Sequence, residues 1–88
     1  MRNLTFIAEY RGGTYISQIK GCELQEALII WCEKLDRKIF SSSKKQQIFK
    51  EILDRNNNPT PLIGIDHVWC CCFLSGNFFL LLNIVETI

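Results

Sequence analysis

The fold is decided by the C-terminal segment VWCCCFLSGNFFLLLNIV, residues 68–85. This segment is almost wholly apolar and reaches the lower limit of length for a membrane-spanning helix. Its middle, however, is the turn sequence SGN (residues 75–77), and Asn83 interrupts its second half. Many of the remaining residues are β-branched or aromatic, so we predict a hairpin of two strands, over Val68–Leu74 and Phe78–Glu86. Because both faces of both strands are apolar, we expect them to lie centrally in a sheet, covered on both sides.

A second hairpin is predicted near the N-terminus, where apolar and polar residues alternate from Leu4 to Lys20. Gly12 and Gly13 can both take the positive φ that a type I′ turn requires. This turn would place three pairs on the face that we assign to the core: Tyr10 with Tyr15, Ala8 with Ser17, and Phe6 with Ile19. We expect the other face to be largely polar and exposed to solvent, with the apolar residues Ile7 and Ile16 as its exceptions.

Two helices are predicted between the hairpins. The first covers Glu23 to about Ile39, where apolar residues recur at three- and four-residue spacing. The second begins at the sequence SKKQ (residues 43–46), which has capping-box spacing, and runs to about Arg55. Residues 56–61, with three asparagines and two prolines, predict a loop, and residues 63–66 a short extended piece.

The predicted element order is ββααββ, in a single domain over residues 1–88. A chain of 88 residues has room for one hydrophobic core. The fold class is therefore α+β, with an antiparallel sheet built from two hairpins and two helices packed on one face. The other sheet face is then available to a second subunit or a partner.

Composition narrows the class of protein. The chain is 48% apolar and 22% charged, as ordinary globular domains are. With a net charge of +1, the chain lacks the broad positive surface that a dedicated nucleic-acid binder carries, so nucleic acid is not the expected partner. No signal peptide or membrane span is evident, and the five cysteines cannot all pair within the chain. We expect a cytoplasmic protein with reduced thiols and no cofactor.

The candidate residues for metal binding or catalysis are His67, Cys70 and Cys72. Cys70 and Cys72 lie on the same face of the predicted strand, whereas Cys71 points the other way. Structural zinc prefers four ligands, so Cys22 or Cys32 would have to complete a site from elsewhere. We favour the interpretation that the three consecutive cysteines are small buried apolar residues, and we predict neither a metal site nor a catalytic residue.

The more informative feature is a surplus of apolar residues in a short chain. A second copy of the chain or a protein partner would bury the excess. The candidate interaction surface consists of Ile7, Ile16, Ile29, Ile30, Trp69 and Phe79.

Two stretches resemble the opening of the HicB-type antitoxin family: YRGGTYI (residues 10–16) and GCELQEAL (residues 21–28). The resemblance implies a small bacterial cytoplasmic protein, with a hairpin followed by a helix in a partial ribonuclease-H-like sheet. Proteins of this family neutralise a partner toxin, and many oligomerise.

We therefore expect a small non-catalytic bacterial protein-interaction module that is antitoxin- or immunity-like. One alternative is a small thiol- or metal-dependent enzyme that uses Cys70, Cys72 and His67. Another is a weak nucleic-acid binder that uses the basic residues of the helical middle of the chain.

Overall fold

The computed structural model of the protein describes residues 2–21, 23–54, 59–62 and 64–87. Its elements are β1 (Arg2–Tyr10), β2 (Gly13–Gly21), α1 (Leu24–Glu33), α2 (Ser42–Leu53), β3 (Thr60–Pro61), β4 (Val68–Ser75) and β5 (Phe78–Thr87). All neighbouring strands are antiparallel, in the order β2-β1-β5-β4-β3. The α+β class and the antiparallel sheet are confirmed. The predicted order ββααββ lacks the short β3, which brings the sheet to five strands.

The N-terminal hairpin turns one residue earlier than predicted. Its central turn residues are Arg11 and Gly12, whose φ values of 50° and 82° are both positive, as a type I′ turn requires. The whole ladder shifts with the turn, so that Ala8 lies opposite Tyr15 instead of Ser17. Because the shift is by two positions along β2, every side chain keeps the face that the sequence predicts.

The C-terminal hairpin lies where the sequence predicts it, to within one residue at each strand end. β4 pairs with β5 along its whole length across Gly76 and Asn77. Gly76 has a φ of 66°, as the first central residue of a type II′ turn requires. β5 lies between β1 and β4, which confirms its central position. Within the described residues, no helix is long and apolar enough to cross a membrane.

Both helices pack against the same face of the sheet. α1 lies over β2 and contacts α2, which lies over β4. Phe73 and Leu80, beneath the helices, are fully buried, whereas Phe79, on the opposite face, is 72% exposed. The prediction that β4 and β5 are covered on both faces is therefore wrong, since two helices side by side cover one face only.

The core lies between the helices and the sheet. Trp31 of α1 stacks on Phe6 of β1, with ring centroids 5.8 Å apart, and on Phe73 of β4, with centroids 6.2 Å apart. This aromatic stack joins α1 to an inner strand on each side of β5. The other buried apolar residues are Leu4, Ala8, Tyr10, Ile19, Ala27, Leu28, Cys32, Leu35, Phe40, Ile48, Ile52, Cys71, Leu80, Leu82 and Ile84.

The first helix ends at Glu33, well before the predicted end at Ile39. Asp36 explains the difference, since its Oδ1 accepts the backbone N–H of Lys38 at 2.9 Å. Its carbonyl oxygen also accepts the N–H of Phe40 at 2.8 Å, which closes a turn. An aspartate that bonds the local backbone in this way competes with helix formation. The turn directs Phe40 into the core, where it is 1% exposed.

The second helix begins one residue earlier than predicted, with Ser41 as its N-cap. The predicted capping box at residues 43–46 is wrong, because Ser43 lies inside the helix and its Oγ is 3.2 Å from Ser41 Oγ. The predicted end at Arg55 lies outside the described residues. Neither Ser41 nor the N-cap of the first helix, Glu23, makes a side-chain capping hydrogen bond.

The connection between the second helix and the C-terminal hairpin differs in detail from the prediction. Thr60 and Pro61, expected in the loop, form β3 and pair with Cys70 and Trp69 of β4. The extended piece predicted over residues 63–66 is not seen at its described positions, because Gly64 and Asp66 lie in turns. Ile63 lies outside the described residues, as do residues 56–58 of the predicted loop.

Ser75 carries a buried hydroxyl that bears on stability. Its carbonyl oxygen accepts a hydrogen bond from the hydroxyl of Tyr10 at 2.8 Å, but its own Oγ has no hydrogen-bond partner among the described residues.

We expect Ser75→Ala to raise the free energy of unfolding by about 1 kcal/mol, because it removes an unpaired buried polar group. Urea unfolding would measure this change. Tyr10→Phe is the matched control and should lower the same quantity by about 1 kcal/mol, because it removes the buried hydrogen bond from the Tyr10 hydroxyl to the Ser75 carbonyl. A loss of stability in Ser75→Ala would show that the hydroxyl is paired.

Candidate interaction surface

The sheet has an open face, defined as the side chains that point away from the two helices. Alternation along each strand assigns the face, since the buried residues of the same strands mark the helix side. Its members on the four long strands are Asn3, Thr5, Ile7 and Glu9 of β1; Thr14, Ile16, Gln18 and Lys20 of β2; Val68, Cys70, Cys72 and Leu74 of β4; and Phe79, Leu81, Asn83, Val85 and Thr87 of β5.

An apolar stripe crosses this open face. Register places Ile7 directly opposite Ile16 on β2 and opposite Asn83 on β5, so that Leu81 is its diagonal neighbour. Directly opposite side chains have Cβ atoms about 5 Å apart, and diagonal neighbours are still within reach of long side chains. On the other side of β5, Leu81 pairs with Cys72 and Phe79 pairs with Leu74. The apolar stripe therefore consists of Ile7, Ile16, Cys72, Leu74, Phe79 and Leu81.

The apolar stripe is well exposed for residues of this type. Phe79 and Ile16 are 72% and 68% exposed, and Leu81 and Leu74 are 40% and 36% exposed. Contiguous exposed apolar surface in a folded domain marks an interaction site more often than isolated apolar residues do.

The six residues predicted as an interaction surface do not form one surface. Ile7, Ile16 and Phe79 lie on the open face, as members of the apolar stripe. Trp69 lies on the helix side of β4, half-buried against the core. Ile29 and Ile30 lie on α1 and are likewise half-buried and packed against the core. The structure therefore brings three of the six together and separates the other three.

Three members of the apolar stripe, Cys72, Leu74 and Leu81, are absent from the interaction surface predicted from the sequence. The sequence shows that both faces of β4 and β5 are apolar, but it carries no signal for which face the helices leave open. Leu81 is a neighbour of Ile7 only because β1 pairs with β5, and these two strands come from opposite ends of the chain.

His67 lies in the turn before β4, with a φ of 64°. Its Nδ1 is 3.1 Å from Oε1 of Glu86, so a polar contact within the fold accounts for the position of the imidazole ring. Cys70 and Cys72 share the open face, as predicted, and Cys71 points into the core. Among the described residues, no group of three or more histidine, cysteine or acidic side chains is arranged to hold a metal ion. Cys22 lies outside the described residues.

The interpretation of the three cysteines as buried apolar residues is correct for Cys71 only. Cys71 is 7% exposed, Cys70 is half-buried and Cys72 is exposed, because alternate residues of β4 face the uncovered side. Burial, together with smaller effects of the neighbouring Cys70 and Cys72, raises the pKa of Cys71 to about 12. The pKa of Cys72 is also raised, by partial burial and then by Glu51. A raised pKa lowers the thiolate fraction, which is the opposite of what a nucleophilic cysteine needs.

Comparisons with protein-family models, with curated proteins and with solved structures find no match for this chain.

Proposed function

We propose that this protein is a small, non-catalytic interaction module that binds a partner protein through the apolar stripe on its open face. The observation that carries the proposal is the 72% exposure of Phe79 on the uncovered face of β5, the central strand. Phe79 lies beside the turn to β4, opposite Leu74, at one end of the apolar stripe. Among the described residues no second layer covers this face, so the Phe79 side chain is open to a partner.

The energetics favour a partner that buries this surface. Full burial of an apolar side chain such as phenylalanine or isoleucine contributes roughly 1.5–3 kcal/mol. Phe79 and Ile16 retain 72% and 68% of their accessible surface, so most of this contribution is still available to a complex. Glu9, opposite Leu81, and Gln18, next to Ile16 on the same face, border the stripe and are exposed, which suits the polar rim of a protein interface.

The partner that we propose is a protein with an apolar surface that the sheet occludes, in an antitoxin- or immunity-like role. The resemblance of residues 10–16 and 21–28 to HicB-type antitoxins supports this role. A cytoplasmic location belongs to the same proposal, and the four described cysteines, all unpaired, suit a reducing compartment.

A pair of neighbouring phenylalanines allows a matched test. Phe79 lies on the open face, and Phe78, 47% exposed, lies on the helix side against the Arg11 guanidinium and Tyr10. A partner is first identified by co-purification and then titrated in pure form against each variant. Phe79→Ser is expected to raise the Kd about 30-fold, as for a central aromatic contact worth about 2 kcal/mol. Phe78→Ser should change it less than about threefold.

Circular dichroism on both variants would show that each is folded at the concentrations of the titration. Equal Kd values for Phe79→Ser and the unsubstituted protein would contradict the proposal, because the apolar stripe would then lie outside the interface.

A further inference from the structure

The two edges of the sheet are protected to different degrees. At one edge, β3 covers the start of β4 and carries Pro61, a residue that discourages further strand pairing. Beyond β3, side chains of α2 bind the free backbone of this edge. Oε2 of Glu51 accepts the N–H of Leu74 at 2.8 Å, and Oε1 of Gln47 accepts the N–H of Gly76 at 2.9 Å. This edge is therefore closed to another strand.

The opposite edge is β2, which pairs with no strand of the described residues other than β1. β2 spans Gly13–Gly21, nine residues without proline. A flat, unblocked edge of this length presents a row of backbone donors and acceptors to any strand that approaches.

Register identifies which backbone groups point outward. In a two-residue hairpin, the residues that flank the turn exchange hydrogen bonds, and such pairs alternate with pairs that do not. Ser17 and Ile19 are bonded to Phe6 and Leu4 in this pattern, so their backbone groups point toward β1. The N–H and C=O groups that point away from β1 therefore belong to the even-numbered residues: Thr14, Ile16, Gln18 and Lys20.

We propose that β2 pairs antiparallel with β2 of a second copy of this chain, about a two-fold axis at Ser17. This register sets Ile16 of one copy opposite Gln18 of the other, and Thr14 opposite Lys20. Every outward-pointing donor and acceptor then meets an outward-pointing partner, as a symmetric interface requires. Ser17, the residue on the axis, is small and allows close approach on the helix side.

Charge on the open face favours the same register. Glu9 of β1 is the neighbour of Thr14 on one side, and Lys20 of the second copy becomes its neighbour on the other. The two charged residues then lie two strand spacings apart, roughly 10 Å between backbones, a distance that their long side chains can span across a threonine. Both are exposed, and the two-fold axis makes the contact twice.

A groove of about 150 Å³ lies on the helix side of β2, with Tyr15, Ser17, Trp31 and Leu35 among its lining residues. The odd-numbered residues of the second β2 point to this side of the sheet. The proposed dimer thus extends the sheet across two copies and leaves both open faces on the same side.

Proline substitution at Gln18 tests the pairing with little effect on the fold. The N–H of Gln18 points outward, so Gln18→Pro removes a donor of the proposed interface and none of the backbone hydrogen bonds to β1. The side-chain bond from Gln18 Nε2 to Thr5 Oγ1, at 3.3 Å, is lost in Gln18→Pro and in the threonine control alike. Gln18→Thr, which keeps the N–H, is the matched control. Sedimentation across a concentration series is expected to show a dimer for the unsubstituted chain and for Gln18→Thr. Gln18→Pro should remain at the monomer mass of 10.2 kDa or show a dimer Kd raised at least about tenfold.

A charge exchange keeps the proposal testable if Gln18→Pro does not fold. Glu9→Lys and Lys20→Glu should each weaken the dimer about threefold to tenfold, and the double variant should restore it, because the attraction is then reversed in sign on both partners. A chain that stays monomeric at every concentration would overturn the proposal, as would a double variant weaker than both single ones.

The result is separable from the proposed function. Phe79 lies on the third strand from this edge, so Phe79→Ser is expected to leave the dimer Kd unchanged. Loss of dimerisation in Phe79→Ser but not in Gln18→Pro would assign self-association to the open face and would overturn the pairing of β2.

Discussion

Replacement of Trp31 by alanine is expected to lower the free energy of unfolding by about 3–5 kcal/mol, the range for a buried aromatic residue truncated to alanine. Trp31 is 2% exposed and stacks on both Phe6 and Phe73. Its removal would therefore break the contacts that join α1 to β1 and to β4 at once. A chain of this length has a total stability of roughly 4–13 kcal/mol, so the loss is a large share of the whole.

Urea unfolding followed by circular dichroism would measure the change. Trp69→Ala is the matched control, because Trp69 is half-buried on the same side of the sheet and takes no part in the aromatic stack. Trp31→Phe should retain part of the stack and lower stability by about 1–2 kcal/mol. If Trp31→Ala cost no more than Trp69→Ala, the stack would not be the centre of the core.

Stability is expected to fall steeply above about pH 9. Burial raises the pKa of Cys71 from 9.0 to about 12 and that of Cys32 from 9.0 to about 11. For Cys32, the nearby Lys45 opposes this rise. A thiol whose pKa is raised by folding stabilises the folded state fully when the pH is below the pKa of that thiol in the unfolded chain. This stabilisation is lost as the pH rises toward the pKa of the thiol in the folded protein. Above about pH 9, each such thiol lowers the free energy of unfolding by about 1.4 kcal/mol per pH unit. The two thiols together therefore lower it by roughly 2–3 kcal/mol by about pH 10.

Urea midpoints measured from neutral pH to about pH 10 would show this slope. Cys71→Ala should remove about half of it, and Cys71→Ala with Cys32→Ala most of it, although each variant begins from a lower stability at neutral pH. Cys72→Ala is the control, since Cys72 is exposed and its variant should keep most of the slope of the unsubstituted protein. An unchanged slope in the double variant would show that other groups cause the alkaline loss.

The two hairpins could be predicted from sequence because their signals are local. Period-two alternation in the first hairpin and the turn residues at Gly12 and Gly76 act over a few residues. They assign the strands of both hairpins and the core face of the first hairpin correctly. The turn at Arg11 and Gly12 was placed one residue too late, because two adjacent glycines each suit a positive φ. The error left the faces intact, since the resulting shift in register is even.

The first helix was predicted too long for a different reason. Apolar spacing continues through Leu35 and Ile39, but these positions are reached by a turn that Asp36 stabilises with its side chain and carbonyl oxygen. The same turn buries Phe40, a core residue that the helical pattern does not include. The pairing of Thr60 and Pro61 with β4 also depends on where the loop lies in three dimensions.

For the candidate site, the sequence by itself determined the strands, their alternation and an excess of apolar residues, among them Ile7, Ile16 and Phe79. Alternation in the first hairpin also predicts that Ile7 and Ile16 lie on its exposed face. Only the tertiary structure decided that Phe79 shares that uncovered face, that Trp69 lies beneath the helices, and that β2 is the unprotected edge. The physical reason is that alternation is a property of one strand and divides its residues between two faces. Which of those faces is buried depends on where both helices dock, and that is settled by contacts between residues far apart in the chain.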